Sequence, residues 1–243
     1  MTTSTKTIEL QGQRVLVVGG SSGIGLGAAK AARDLGAALT ICSRSVERID
    51  GAVRGLGADV RGFVLDLTDS AAVEDLFGRE GAFDHVVVSG AQVRMGTVRD
   101  LSLDQAAAVM DSKFWGAYRV ARAARINAGG SLTLVSGTLA HRPRPGTALV
   151  AAVNASLEGL TRGLALEMAP VRVNLVSPGL VATPIYDAMP EGARQAMFAA
   201  AAERLPAGRV GAPEDIARQI MACILNPYMT GSIIHLDGGG LLV

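Results

Sequence analysis

The glycine-rich segment at residues 15–25 constrains the fold more than any other part of the chain. Residues 15–18 form an apolar run that predicts a short buried strand, and residues 26–35 have the apolar spacing of a helix. The glycines between them allow a sharp turn and let backbone N–H groups approach an anion, to which the helix N-terminus adds partial positive charge. The pattern favours a phosphate-binding loop over an ordinary tight turn. The expected nucleotide contacts are Gly19, Ser21, Ser22, Gly23, Ile24 and Gly25.

Short apolar runs and longer helical patterns alternate along the rest of the chain. This alternation predicts an α/β fold: a single Rossmann-type, doubly wound domain with a seven-stranded, mostly parallel sheet and helices on both faces. The predicted strands cover residues 15–18, 39–43, 60–65, 85–89, 132–136, 171–176 and 232–236. The predicted helices cover residues 24–35, 71–79, 103–126, 148–168 and 214–225.

A single domain over residues 1–243 is favoured over two small ones, because no Pro-rich or low-complexity linker divides the chain. Residues 1–9 are predicted to form a flexible N-terminal tail. The longest insertion, about residues 184–208, falls between the sixth strand and the last helix. Ligands of such sheets bind beyond the carboxyl ends of the strands, so this insertion is predicted to be a substrate lid.

Charge and cysteine content indicate the kind of partner and the compartment. The net charge of +1, without a basic run, argues against nucleic acid or an anionic membrane as a partner. No apolar stretch approaches the ~18–20 residues of a transmembrane helix, and residues 1–7 lack the apolar core of a signal peptide. Cys42 and Cys223 stand in apolar contexts, which favours buried thiols in a reducing compartment. We therefore expect a soluble cytoplasmic protein without a metal site.

Two positions after the predicted second and third strands indicate the type of nucleotide. Arg44, just past the second strand, can pair with the 2′-phosphate of NADP, whereas NAD binding favours an acidic residue there. Arg44 could instead be a solvated surface residue. Asp66, with Leu67, could hold the adenine edge or could be the N-cap of the following helix. This pattern predicts NADP(H) in preference to NAD(H).

Several motifs resemble those of the short-chain dehydrogenase/reductase family, and the resemblance covers nearly the whole chain. Residues 18–25 resemble that family's Thr-Gly-x-x-x-Gly-Ile-Gly loop, with Val18 in the Thr place, and Asp66 matches its adenine-side Asp. Residues 177–184 resemble the segment beside the nicotinamide, and Gly90 lies in the turn where the family has Asn-Asn-Ala-Gly. The resemblance adds a set of implied cofactor contacts: Gly90, Pro178, Gly179, Val181 and Thr183.

The C-terminal segments also resemble the family's, and there they often help to build tetramers. The matching stretches are residues 208–216 and 230–239. The resemblance implies a homodimer or homotetramer, and a mixed oligomer with an active relative is the alternative.

The resemblance fails at the four catalytic positions, where the family has Asn, Ser, Tyr and Lys. Val150 stands in the Tyr place and Asn154 in the Lys place, while Gly137 replaces Ser and Lys113 replaces Asn. Lys and Asn are thus exchanged. We expect Lys113 and Asn154 to hydrogen-bond each other or the ribose hydroxyls. The alternative is a Lys113 that reaches the surface and an Asn154 that faces its own helix.

The missing proton could come from water or from one of three side chains: Lys113, His141 or Tyr186. His141 follows the fifth strand near the predicted substrate mouth, and Tyr186 on the lid could reach in after closure. Loop histidines are commonly just solvated, which is the alternative for His141. Ser136 and Thr138 flank Gly137, and strand alternation predicts that they point away from its face. The apolar lid residues suit an apolar substrate or core packing: Ile185, Met189, Met197 and Phe198.

These residues leave three functions open. The first is an atypical NADP(H)-dependent oxidoreductase, acting on a small apolar carbonyl or alcohol with a non-standard proton source. The second is a catalytically inactive NADP-binding protein that serves as a sensor, scaffold or oligomer partner. The third, a non-redox enzyme like the related halohydrin dehalogenases, ranks last because those keep a Ser–Tyr pair and lose the nucleotide loop.

Overall fold

A computed structural model describes residues 10–90 and 92–243, and these residues form one seven-stranded sheet in the order β3-β2-β1-β4-β5-β6-β7. All six neighbouring strand pairs are parallel. The predicted fold class is confirmed. The strands are β1 Arg14–Val18, β2 Ala38–Ser43, β3 Arg61–Val64, β4 Phe83–Val88, β5 Ile126–Val135, β6 Arg172–Pro178 and β7 Ile233–Leu236.

Eight α-helices are found in the described residues, with a π-helical turn, Asp111–Trp115, between α4 and α5. Short 3₁₀ turns, Thr138–Ala140 and Pro184–Tyr186, follow β5 and β6. The helices are α1 Gly23–Asp34, α2 Val46–Leu56, α3 Ser70–Glu80, α4 Leu103–Met110, α5 Gly116–Ala123, α6 Ala148–Glu167, α7 Glu191–Arg204 and α8 Pro213–Leu225.

Side-chain alternation along the strands divides the interior into two hydrophobic cores. On β1, Val15 and Val17 belong to the core covered by α1, α2 and α8, whereas Leu16 and Val18 belong to the core covered by α3, α5 and α6. Strands that are buried on both faces read as continuous apolar runs, which is why 15–18 could be recognised from sequence. Helices therefore cover both faces of the sheet, as the sequence predicted.

The structure adds one helix to the prediction and shortens another. Helix α2, Val46–Leu56, was not predicted; Ser45 begins it by accepting a hydrogen bond from Arg48 N at 3.2 Å. The predicted helix 103–126 was too long, since α5 ends at Ala123 and Ile126 already belongs to β5. Insertion 184–208 contains helix α7. Its function as a lid stays a prediction, and the predicted tail 1–9 lies outside the described residues.

The two cysteines and the apolar character of the helices were also predicted from the sequence. Cys42 and Cys223 are buried and unbridged, and burial raises the pKa of the Cys42 thiol to about 12. In residues 10–90 and 92–243, no helix combines the length and apolar character needed to cross a bilayer.

Strand order reverses beside β1, because the chain proceeds from β1 to β2 and β3 on one side and then to β4 on the other. Crevices at the carboxyl ends of strands flanking such a reversal are the usual ligand sites of open α/β sheets. Close backbone packing shapes this crevice: a Cβ on Gly25 would overlap the carbonyl oxygen of Gly19.

The Gly25→Ala substitution should therefore destabilise the fold. Overpacking of this kind typically costs about 1–3 kcal/mol in unfolding free energy, and it would also distort the glycine-rich loop. The matched control is Gly78→Ala on α3, where the added methyl group meets nothing within 4 Å. Alanine in an open helical position should stabilise by roughly 0.5–1 kcal/mol. Urea denaturation measures the unfolding free energy of both variants. A Gly25→Ala protein as stable as wild type would contradict the steric overlap with Gly19.

Candidate functional site

A cleft of about 420 Å³ lies at the carboxyl ends of the strands that flank the reversal. Eleven of the predicted contacts line it: Gly19, Ser21, Ser22, Gly23, Ile24, Arg44, Asp66, Leu67, Gly90, Lys113 and Thr183. Five others do not: Gly25, Asn154, Pro178, Gly179 and Val181. The structure thus brings most of the sequence-predicted set to one cleft.

The five residues outside the lining have structural positions that explain this. Gly25 faces the Gly19 carbonyl, and Asn154 is 2% exposed behind Lys113. Pro178 is the buried last residue of β6, while a Cβ on Gly179 would lie 2.7 Å from Asp237 Cβ. Val181 is 5% exposed and belongs to the core beside α8.

Glycine is required in the loop after β1 for conformational and steric reasons. Gly19 adopts φ +83°, and a Cβ there would overlap the backbone nitrogen of Gly90. The N–H groups of Gly19 and Gly20 both donate to Cys42 O, which fixes the loop against β2. Ser22 precedes α1 and its side chain makes no capping hydrogen bond. The N-terminus of α1 therefore presents uncapped backbone N–H groups of the kind that bind phosphate.

Two arginines line the cleft beyond β2. Arg44 follows the strand, and Arg48 lies in the first turn of α2. Ser43, the last residue of β2, lines the same wall of the cleft. Sequence reasoning missed Arg48 because it missed α2. The spacing of four residues from Arg44 was the available signal, together with Ser45 as an N-cap.

Asp66 does not cap the next helix; Asp69 does, accepting from Ala72 N at 3.0 Å. Asp66 instead accepts from both the backbone N–H and the hydroxyl of Thr68, at 2.9 Å each. The backbone hydrogen bond from Thr68 is the main reason that the pKa of Asp66 is lowered, and Arg44 lowers it further. Asp66 is thus an ionised acceptor at the cleft wall.

Lys113 and Asn154 are in direct contact. Lys113 Nζ donates to Asn154 Oδ1 at 2.7 Å and lies 3.4 Å from the carbonyl oxygen of Ser136. The predicted hydrogen bond between the exchanged residues is confirmed. Burial lowers the pKa of Lys113 to about 8, from an ordinary lysine value of about 10.4. The amine therefore exchanges its proton near pH 8.

Gly137 makes room for this contact. A Cβ at Gly137 would lie 2.9 Å from Asn154 Nδ2, so a larger residue would push the amide aside. Val150, 4% exposed on α6, contributes an apolar side chain. Ser136 was predicted to point away from the face that Gly137 occupies, and this prediction was wrong. The Ser136 hydroxyl points toward α6, where it donates to the backbone oxygen of Asn154 at 3.0 Å. Strand alternation does not extend to residue 136 because β5 ends at Val135.

Neither of the other candidate proton donors lines the cleft. His141 Nε2 lies 2.7 Å from Glu158 Oε1, and its ring packs edge-on against His235 with centroids 4.5 Å apart. The ring of Tyr186 packs edge-on against Phe198 at 5.5 Å, and burial raises the pKa of its hydroxyl. Both side chains have partners within the fold.

Comparison with known proteins identifies the family. A family model described as enoyl-(acyl carrier protein) reductase matches residues 18–240. A short-chain dehydrogenase/reductase of Stachybotrys chlorohalonatus, ATR9, is 32% identical, and the match covers 96% of this chain and 98% of the relative. The chain belongs to the short-chain dehydrogenase/reductase family.

Two solved structures are similar over almost their full lengths. A small-chain dehydrogenase in complex with NADPH is 36% identical with a TM-score of 0.79, covering 95% of this chain and 99% of the other. A short chain oxidoreductase from Pseudomonas aeruginosa PAO1, NADPH-bound and described as containing an atypical catalytic center, is 29% identical with a TM-score of 0.87, covering 95% and 97%.

Replacing Lys113 with Met should change the pH dependence of stability. The folded-state pKa of Lys113 is about 8, whereas the pKa of a lysine in the unfolded chain is about 10.4. Between these values the unfolded chain holds a proton that the folded chain has lost, so this residue makes unfolding free energy rise with pH. The limiting slope is about 1.4 kcal/mol per pH unit.

Urea denaturation from pH 7 to 10 measures this effect as the difference between wild type and Lys113→Met. The matched control is Lys30→Met, since Lys30 is exposed on α1 and should leave the slope unchanged. A wild-type stability that ran parallel to that of Lys113→Met would contradict the lowered pKa.

Proposed function

We propose that the protein is an NADP(H)-dependent oxidoreductase that acts on a small apolar carbonyl or alcohol and uses a proton source other than tyrosine. One observation carries the proposal: a single cleft joins the glycine loop, two arginines suited to a 2′-phosphate and a half-buried amine. NADPH in the similar dehydrogenase and in the Pseudomonas oxidoreductase supports the choice of cofactor.

The residues of the cleft fit NADP(H) from one end to the other. The uncapped N–H groups at the start of α1 would hold the pyrophosphate. Arg44, Arg48 and the Ser43 hydroxyl would hold the 2′-phosphate, for which two guanidinium groups provide charge and directed donors. Asp66 and Leu67 would contact the adenine.

The nicotinamide half would lie on the other side of the glycine loop. Gly90 and Thr183 line that part of the cleft, and Lys113 is fixed there by Asn154. The Ile185 side chain also lines the cleft and supplies apolar surface from the insertion after β6. The bound cofactor would supply hydride. The chain itself would align the substrate, limit access of water and provide the proton.

We further propose that this is an atypical member of its family. The four positions that carry Asn, Ser, Tyr and Lys in the family hold Lys113, Gly137, Val150 and Asn154. The similarity to the Pseudomonas oxidoreductase with an atypical catalytic center supports this proposal. Losing a positioned acid costs about 10²–10⁴-fold in rate, so another donor is required for efficient turnover.

An inactive NADP-binding protein is the second candidate function. It is favoured by Val150 and Gly137, which remove polar function from two catalytic positions. Such a protein would use the bound nucleotide as a signal, or would act as a scaffold or as a subunit in a mixed oligomer. It would bind NADPH without consuming it, which distinguishes it from the first proposal.

NADPH should bind more tightly than NADH, and Arg44→Ala and Arg48→Ala should each weaken NADPH binding by roughly 10- to 100-fold. This range corresponds to one hydrogen bond to a charged group, worth about 1.5–3 kcal/mol. NADH affinity should change little. Energy transfer from Trp115, the only tryptophan, to the bound nicotinamide measures the affinity for each of the two reduced cofactors.

Arg54→Ala provides the matched control, because Arg54 is exposed in the last turn of the same helix and does not line the cleft. Absence of binding of either cofactor, checked by calorimetry, would refute the proposed function. Equal affinity for NADPH and NADH would refute the assignment of Arg44 and Arg48. Consumption of NADPH with a carbonyl substrate would then separate an enzyme from a binding protein.

A further inference from the structure

The cleft contains one ionisable side chain on its nicotinamide side. Four ionisable residues line the cleft within the described part of the chain, and Arg44, Arg48 and Asp66 all follow β2 or β3. Lys113 lies across the glycine loop from them, next to Ser136 at the end of β5. Since His141 and Tyr186 pack elsewhere, Lys113 is the titratable group closest to where a substrate would meet the nicotinamide.

Three elements fix the position of this amine. The π-helical turn carries Lys113, α6 supplies Asn154 Oδ1, and the end of β5 supplies the Ser136 carbonyl. The Ser136 hydroxyl also bonds to Asn154 O, and Gly137 leaves space for the Asn154 amide. The acceptor that holds Lys113 is therefore itself held in place.

One position on the Lys113 nitrogen remains free for a substrate. An ammonium group has three N–H donors, and Asn154 Oδ1 and the Ser136 carbonyl can accept two of them. The neutral amine still has two N–H groups for the same acceptors. Titration therefore changes only the third position, which is a proton in one state and a lone pair in the other.

The acidic groups nearest in sequence to Lys113 and Asn154 have partners of their own. Asp111 pairs with Arg119 at 2.6 Å, and Glu158 with His141 at 2.7 Å. Burial is the cause of the lowered pKa of Lys113, about 8, and this value lets the amine exchange a proton near neutral pH. The ionisable groups on α4, the π-helical turn, α5, α6 and the segment after β5 are Asp104, Asp111, Tyr118, Arg119, Arg122, Glu158, Arg162, Glu167, His141, Arg142 and Arg144.

We propose that Lys113 Nζ is the proton donor to the substrate oxygen, in the place of the family's tyrosine, and that Asn154 is its positioning residue. The inference rests on the proposed function. In reduction, hydride from NADPH forms the new C–H bond and the carbonyl π electrons move to oxygen. The oxygen takes a proton from Lys113, which becomes a neutral amine and regains a proton from water. NADPH is oxidised to NADP⁺ and the carbonyl is reduced to an alcohol.

The first test is independent of turnover: an NMR titration of the protein with ¹³C,¹⁵N-labelled lysine, with and without NADPH. The chain has three lysines, Lys6, Lys30 and Lys113, so three resonances are assigned with single variants. Lys113 should titrate near pH 8. Asn154→Ala and Gly137→Ala should both shift this pKa, because each disturbs the acceptor. A Lys113 resonance that titrates near an ordinary lysine value, about 10.4, would overturn the proposal.

The second test compares single-turnover rates at saturating NADPH, with benzaldehyde and cyclohexanone as small apolar carbonyl probes. Lys113→Met should slow the chemical step by about 10²–10⁴-fold. Lys113→Arg should not restore the rate, because a guanidinium keeps its charge but does not release its proton. The wild-type rate should fall as pH rises through about 8. Lys30→Met is the matched control and should retain the wild-type rate and pH profile.

The outcomes separate the two proposals. A Lys113→Met protein with the wild-type rate, or a Lys113→Arg protein with full activity, would overturn the proton-donor assignment and leave the oxidoreductase proposal intact. A wild-type protein that binds NADPH but reduces neither probe would contradict both proposals. That outcome would favour the inactive nucleotide-binding protein.

Discussion

Backbone packs directly against backbone at the end of β1, and the geometry of the cleft depends on this contact. A side chain on Gly19 would overlap Gly90, and one on Gly25 would overlap the Gly19 carbonyl. Because these segments approach so closely, α1 begins immediately beside the loop and points its N-terminus into the crevice between the halves of the sheet. Glycine is the only residue that provides both the positive φ of Gly19 and this close approach.

A second set of dependent positions surrounds Lys113, which lines the same cleft. Lys113 on the π-helical turn and Asn154 on α6 place an amine and an amide in contact, and the absence of a side chain at Gly137 accommodates the amide. A larger residue at Gly137, or a change of Asn154, would therefore disturb the position of Lys113. Groups that share hydrogen bonds in this way have non-additive effects, so Lys113, Gly137 and Asn154 should be interpreted as one unit.

Residues with strong local patterns allowed most of the fold and much of the site to be predicted. The apolar run of β1, the glycine loop and the alternation of strands and helices are local signals, and the Lys113–Asn154 contact followed from family geometry. Helix α2 was missed because Gly51, Gly55 and several charged residues obscure its apolar positions. The orientations of Ser136 and His141 depend on where β5 ends and on Glu158, which are tertiary features.

A crystal structure of the protein with NADPH would show whether one cleft combines an NADP(H) site with a lysine proton donor. We expect the 2′-phosphate between Arg44 and Arg48, the pyrophosphate at the N-terminus of α1 and the nicotinamide beside Lys113. The hydrogen bond from Lys113 to Asn154 should persist. A nicotinamide outside the cleft would contradict the NADP(H) site, and a Lys113 side chain turned away from the nicotinamide would contradict the lysine proton donor.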